Sequence, residues 1–550
     1  MPPDTHTVLN QSTPYRDVNL FTSDRVLRAA VEREGGSEAV PRLMTLGATA
    51  GSAEAFERGR LANENPPKLR AFDDKGRRLD IVEYHPAYHE CMALSVAEGL
   101  HCGSFEPLKD GGGPRPGANV ARAAGSYVVA QMEAGHCCPI TMTNASIATL
   151  RLQPEIARQW LPRILTRSYD PRFRPSAEKT GVTIGMGMTE KQGGTDVRAN
   201  TTRAEPAGNG GPGGEFLLTG HKWFLSAPMS DAFLMLAQTG KGPSCFLVPR
   251  FLPDGSVNPL RFQRLKAKLG NRSNASSEVE FDGVHGWLIG EEGRGVASII
   301  EMVTCTRLDC TVSSAGLMRL CLATAIHNCS ERQVFGKRLT EQPMMQSVLA
   351  DLALDSEAAT ALAFRLARSF DQQGDAGEDA WRRVMTPVTK YWVCKIAPAF
   401  AYEAMECLGG NGYVEEGTLA RVYREVPVNA IWEGSGNVMC LDVLRAVARD
   451  REPAARLLEQ LVGETRGLPG AAAAAKGIAD MLSSPEGERH ARRAVEMLAL
   501  LAATAALNAT APELAAAFAE ARLERPFGFY GAAVLPAPLA ERLMNRALPL

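Results

Sequence analysis

The sequence has no C-x-x-C pair, although it carries 12 cysteines. They are scattered through apolar segments such as 304–310 and 393–395, and the adjacent pair Cys137–Cys138 is badly placed for a bond to itself. Buried free thiols are expected rather than a disulfide framework. Also missing is an apolar run of membrane-spanning length. The most apolar uncharged stretch, between Glu496 and Asn508, is 11 residues long and contains Thr504, against the ~20 a spanning helix needs. The first 16 residues include Asp4, Asn10 and Gln11 and hold no apolar core of a secretory signal. Charge of one sign is absent too. Sixty Lys+Arg against 62 Asp+Glu leave a net charge of -2, which excludes a whole-chain basic polyelectrolyte and leaves local patches open. The expectation is a cytoplasmic protein with no membrane contact and no metal centre.

What is present is globular composition, 45% hydrophobic and 22% charged, which excludes intrinsic disorder. A chain of 550 residues is roughly three to four times a usual single domain, so several units are expected. From residue 24 to about 166 apolar positions recur at three- and four-residue spacing, interrupted by the helix-breaking loop 110–117. Between 183 and 289 the pattern changes to short runs rich in Phe, Val, Leu and Thr (215–225, 232–238, 244–249, 277–281), bounded by Gly, Pro and Asp. No helical segments intervene, so antiparallel strands of a barrel or sandwich are expected. Helical periodicity returns at 296–330, 346–373 and 379–408, enough for a bundle. The fold class is therefore α+β, mainly α, with units at 1–180 (helical), 181–292 (β), 293–446 (bundle) and 447–550 (an alanine-rich helical extension).

Five segments could carry chemistry. Gly185-Met-Gly-Met-Thr-Glu-Lys-Gln-Gly-Gly-Thr-Asp-Val197 has glycines and hydroxyls that let backbone N–H groups approach a flat or anionic ligand. It reads equally as a turn entering the β zone, and Glu190 breaks any dinucleotide fingerprint. Gly220-His-Lys-Trp-Phe-Leu-Ser226 offers Trp223 either as core or as a wall against a planar cofactor, with His221 as a satisfied turn residue. In Glu331-Arg-Gln-Val-Phe-Gly336, Arg332 could grip a phosphate or simply match a helix dipole. Leu408-Gly-Gly-Asn-Gly-Tyr413 is a helix end followed by glycine-only backbone. In Asn429-Ala-Ile-Trp-Glu-Gly-Ser-Gly-Asn437, Glu433 lies in an apolar setting that would disfavour its charge and poise it as a proton acceptor; the bland alternative is a helix-start acid followed by a Ser435 cap.

Taken together and in this order, with the β zone between helical zones, these segments resemble the acyl-CoA dehydrogenase family. Met186-Gly-Met-Thr-Glu-Lys-Gln-Gly-Gly-Thr-Asp196, Lys268-Leu-Gly-Asn-Arg-Ser-Asn-Ala-Ser276, Ile431-Trp-Glu-Gly-Ser-Gly-Asn437 and, near the N-terminus, Arg60-Leu-Ala-Asn-Glu-Asn-Pro-Pro67 point to its AidB branch of alkylation-response flavoproteins. The resemblance implies FAD at the junction of the three units. Met186, Met188, Thr189, Gly194 and Thr195 would lie along the flavin. Trp223, with Phe224 and Leu225, would pack against the isoalloxazine, and Trp432, Ser435 and Asn437 would close over it. Arg332, Phe335, Gly409 and Gly410 would reach the FAD of a neighbouring subunit, which implies a homotetramer.

The family reaction takes an α-proton and a β-hydride from an acyl-CoA thioester, and Glu433 aligns with the family base. A short or branched acyl-CoA is the expected substrate, with weak turnover. Three departures stand out. Leu225 occupies the place of a flavin-bonding Thr, with Ser226 expected to point away by strand alternation. Glu190-Lys191 replaces Glu-Pro and puts a charge near the entrance. Thr195 replaces the commoner Ser. The AidB resemblance also implies an alternative role, protection against alkylating agents with the extension bound to double-stranded DNA and FAD kept with little turnover. Yet residues 447–550 hold 12 Lys+Arg and 12 Asp+Glu, and the one local cluster is Arg489, His490, Arg492 and Arg493, which reads more simply as a solvated helix face.

Overall fold

The computed structural model describes residues 7–112 and 115–524. Residues 113–114 of the helix-breaking loop, and Arg525, Arg542 and Arg546 of the extension, lie outside the described residues. Local chemistry explains where the helices begin. Asp24 accepts from the Leu27 N–H at 2.9 Å, Ser52 from the Ala55 N–H at 3.1 Å, and Asp375 from both Gly377 and Glu378; each satisfies donors that a helix start leaves bare. Proline opens the helices Pro86–Ala97, Pro154–Ile164 and Pro343–Asp371, where its missing N–H costs nothing.

The three long periodic stretches form the helices Gly295–Glu331, Pro343–Asp371 and Ala376–Cys407, and Gly436–Arg449 joins them. The last of these passes the expected boundary at 446 and breaks at Asp450. The extension is not a tethered module. Its helix Gly487–Asn508 puts Leu500 and Leu501 into the core that also holds Phe364 and Trp392 of the bundle and Tyr127 of the N-terminal unit, and Phe518 meets the Trp392 ring edge-on at 6.1 Å.

The β unit closes on itself. Ala232–Thr239 pairs antiparallel with Gly242–Pro249, which pairs with Ser276–Ile289, which pairs with Glu215–Ser226, which pairs with Arg203–Pro206 and so returns to Ala232–Thr239. Two pairings are parallel, Ile184–Gly187 and Arg203–Pro206, both against Ala232–Thr239, so the sheet is mixed where an antiparallel one was expected. Each of these two short strands reaches Ala232–Thr239 from a loop, and a barrel can take such a strand in either direction. Phe216, Phe233, Phe246 and Phe262 fill the interior, the first and third edge-to-face at 5.2 Å, which fixes which strand residues face out.

The N-terminal unit is not wholly helical. Lys68–Phe72 and Arg78–Glu83 form a hairpin that reaches the barrel: Arg78 donates to the Phe262 carbonyl and Asp80 accepts from the Phe262 N–H, both at 2.9 Å. Its outer positions are charged, so the segment carried little apolar signal. The three units meet around one large cavity.

Candidate active site

The cavity measures about 690 Å3, within the ~300–1,000 Å3 range of ligand sites. One wall is the strand Ile184–Gly187 and the loop after it, with Met186, Met188, Thr189, Gly194 and Thr195. A second is the end of Glu215–Ser226, with Phe224 and Ser226. The floor comes from the Gly295–Glu331 helix, including Val296, Ile299 and Val303, and the remaining side from Trp432, Glu433 and Ser435.

Glu433 has φ +57°, a left-handed conformation that costs a non-glycine residue roughly 1 kcal/mol or more, and Gly434 follows at φ +103°. A Cβ on Gly434 would lie 2.5 Å from the Met439 methyl, so the pair Glu-Gly is what this turn accepts. The carboxylate takes a hydrogen bond from the Thr306 hydroxyl at 2.7 Å. Its own carbonyl accepts from Arg307 Nε at 3.0 Å, and Arg307 is in turn fixed by Asp442 at 2.7 Å. Burial pushes the Glu433 carboxyl above the ordinary carboxylate range, against the Thr306 hydrogen bond and the cations Arg307 and Lys390. A half-buried carboxylate so poised, at the edge of an apolar cavity, can accept a proton from carbon.

The family model described as the AidB N-terminal domain matches residues 10–171, the acyl-CoA dehydrogenase middle domain 185–284, and the acyl-CoA dehydrogenase C-terminal domain 293–448. AidB of Escherichia coli (strain K12) is 51% identical over 80% of both chains. The chain belongs to the acyl-CoA dehydrogenase family, in its AidB branch. Acyl-CoA dehydrogenase family member 11 of Caenorhabditis elegans is 30% identical over 82% of this chain and 74% of its own. The crystal structure of C. elegans ACDH-11 in complex with C11-CoA superposes with a TM-score of 0.87 at 25% identity, covering 99% of this chain and 98% of that one.

This flavoprotein is thus an oxidoreductase whose family cofactor is FAD. The cavity suits that group: it is large, it presents the Phe224 ring, it carries the Thr189 and Ser226 hydroxyls, and its glycine-rich loop lets backbone approach.

Of the residues expected at the flavin, Met186, Met188, Thr189, Gly194, Thr195, Phe224, Trp432, Glu433 and Ser435 line the cavity. Trp223 and Leu225 do not. Leu225 is fully buried in the barrel core, and Trp223 lies under the Lys266 ammonium, 3.3 Å from its ring centroid, with Lys191 and Arg264 further out. Trp223 is thus not among the lining residues, while Ser226, expected to point away, is one of them. The pairing with Ser276–Ile289 is irregular between Lys222 and Leu225, so simple alternation does not carry through Trp223 and Phe224, and Phe224 and Ser226 are the residues that line the cavity. Asn437 is exposed, accepting from Arg492 at 3.4 Å. Arg332, Phe335, Gly409 and Gly410 line no part of the cavity; Arg332 donates to the Asn10 carbonyl at 2.8 Å, and Phe335 is 97% exposed.

The charge expected at the entrance divides in two. Lys191 is exposed, whereas Glu190 is fully buried in an ion pair with Lys222 at 2.7 Å. His221 accepts from the Lys191 N–H at 3.0 Å. Residues that sequence reasoning missed are Ser226, Thr306, Arg307 and Lys390. Their signal was polar side chains at core positions of a strand and two long apolar helices. A second buried cluster, Cys91, Glu133 and His136, is already saturated: His136 bridges Ser95 and Glu133 at 2.8 Å each, and Glu133 also accepts from Asn63 and Ser273. It ties the N-terminal helices to the 266–276 loop.

Proposed function

We propose that this flavoprotein dehydrogenates a short or branched acyl-CoA between Cα and Cβ, with Glu433 as the base, and that turnover is slow. The observation that carries the reading is the Glu433 carboxylate, held by Thr306 at the rim of a cavity whose opposite walls are Met186–Thr195 and Phe224. Glu433 takes the α-proton, and its pKa, raised by burial, narrows the gap to a weak carbon acid. The N–H of Glu433 donates to the thioester carbonyl as negative charge grows there. Bound FAD supplies the acceptor for the hydride that leaves Cβ. Val296, Ile299, Ile300 and Val303 give the acyl chain an apolar bed and keep water from the deprotonated carbon.

The test is anaerobic titration of the yellow holoprotein with butyryl- and isovaleryl-CoA. Bleaching of the flavin band is expected, and Glu433→Gln should keep the colour while losing bleaching by about 10²–10⁴-fold. A variant that bleaches as fast as the parent removes Glu433 from the mechanism.

In the same reading the units are 1–180, 181–292, 293–446 and 447–550, the site of action is the cytoplasm, and the assembly is a homotetramer. Among the described residues no helix is long and apolar enough to cross a membrane. Phe335 and Tyr413, 97% and 83% exposed, flank the surface that would meet another subunit's FAD; light scattering should give four chains. The duplex-DNA role of the extension rests on the AidB relationship alone, since Arg456, Arg489, Arg493 and Arg522 are each paired with a carboxylate. A mobility shift that weakens steeply with salt would support it.

A further inference from the structure

We propose that Lys390 is a positioning residue for the base: its ammonium grips the carbonyls on either side of Glu433 and so keeps that residue in the left-handed conformation that faces the cavity. The inference rests on the reading of Glu433 as the base.

Lys390 sits in the middle of the Ala376–Cys407 helix and is 1% exposed. Among the described residues no carboxylate pairs with it. Its Nζ donates instead to the carbonyls of Trp432 at 2.9 Å and Gly434 at 2.8 Å. With Arg307 on the carbonyl of Glu433 itself, three consecutive carbonyls are held by two cations from two different helices. A buried ammonium that bonds no carboxylate, with only the Glu433 charge nearby, is expensive to keep, and an apolar residue of similar length would pack there at less cost. The arrangement is accounted for by what it holds. Glu433 is one of seven described non-glycine residues at positive φ, and strain of this kind persists only where surrounding bonds over-determine it. Once the carbonyls of 432 and 434 are free, the peptide planes can turn, φ relaxes to negative values, and the carboxylate leaves Thr306. Trp432 is anchored separately, its indole N–H on Asn429 at 3.0 Å, so the loop pivots about Glu433 rather than unravelling.

The titrating and charged groups that face Glu433 are Arg307 and Cys310 from the Gly295–Glu331 helix, Lys390 from Ala376–Cys407, and Cys138 from Cys137–Leu150, with Asp442 behind Arg307. Both cations favour the ionised carboxylate. Loss of Lys390 therefore moves the acid limb of the pH profile to higher pH, a change that a loosened fold alone would not produce.

The experiment uses full-length FAD-loaded Lys390→Met and Lys390→Arg beside the parent, with Lys390→Gln as the measured variant if the methionine form does not fold. The expected result is about a 10²-fold slower flavin bleaching by butyryl-CoA in the Met form, unchanged FAD content and half-saturating butyryl-CoA, an acid limb shifted upward, and recovery of most of the rate in the Arg form. Bleaching and an acid limb identical to the parent's would overturn the proposal. So would a crystal structure of the variant in which Glu433 keeps φ near +57°. That last measurement is independent of turnover: if no acyl-CoA bleaches the parent, the proposed reaction fails, while the relaxed or unrelaxed φ still decides the role of Lys390.

Discussion

Two glutamates sit in segments that wall the same cavity and have opposite fates. Glu190, on the barrel side, is fully buried, yet every oxygen is engaged: Lys222 donates at 2.7 Å, and Thr201 and Thr202 add further bonds. Burial alone would raise its pKa, but Lys222 and these donors overcome it and hold the carboxyl down at about 2. Glu433, on the bundle side, has one hydroxyl donor and two cations that bond backbone carbonyls, and in the case of Arg307 also Asp442, rather than its carboxylate. There burial wins and the pKa rises. The two shifts differ in sign because the nearby Lys222 charge and several donors on the Glu190 carboxylate outweigh its burial, whereas one hydroxyl and two cations that do not bond the Glu433 carboxylate leave burial dominant there. The first arrangement fixes a charge as structure; the second leaves a carboxylate able to exchange a proton.

Removing each acid should break the comparison in a different observable. Glu433→Gln is expected to lower bleaching by about 10²–10⁴-fold while the melting temperature stays within a few degrees of the parent. Glu190→Gln leaves the Lys222 ammonium buried and uncompensated, which costs about 3–5 kcal/mol. Thermal melts should fall markedly, and the FAD that remains bound should still bleach. A Glu190 variant as stable as the parent would mean that the pair is not what holds this loop on the barrel.

Acid titration separates the two again. Glu190 has a folded pKa of about 2 against an ordinary 4.5, so its contribution to stability is present above about pH 4.5 and is lost as pH falls from there toward 2. Glu433, raised above 4.5, must be ionised to act, so bleaching should fail at a pH where urea melts still report full stability. Coincident loss of both with falling pH would contradict the assignment of separate roles.

The architecture was legible because its signals are long. Helices of 29 to 37 residues repeat their apolar face many times, and strands bounded by Gly and Pro announce themselves. The hairpin at 68–83 escaped because its outer positions are Lys, Arg and Glu and its packing partner, Phe262, lies far along the chain. Glu433 and the glycine-rich wall could be placed at the cavity from motif order. Thr306, Arg307 and Lys390 could not, since nothing local distinguishes a helix-borne cation that meets a carbonyl from one that meets water. Reading Glu190 as a structural anchor likewise required Lys222, 32 residues away, to be seen beside it.

The smallest effect tests the irregular end of the strand Glu215–Ser226, where Phe224 and Ser226 rather than Trp223 line the cavity. Trp223 is the larger ring and was the natural choice for a cofactor wall, yet its neighbours are Lys266 at 3.3 Å and the outer cations Lys191 and Arg264. Its contribution is then a surface cation–π contact, about 0.5–1 kcal/mol. Phe224 lines the cavity beside Ser226, and loss of an aromatic contact there is worth about 0.5–1.5 kcal/mol beyond the area it buries. Phe224→Ala should therefore weaken retention of FAD by about tenfold, 1.4 kcal/mol being a factor of ten, whereas Trp223→Ala should leave retention unchanged and lower the melting temperature slightly. Fluorescence titration of the apoprotein with FAD measures both. If Trp223→Ala is the variant that sheds cofactor, the ring of the strand that meets the flavin is the outer one, and the cavity-facing pair Phe224 and Ser226 serves the substrate instead.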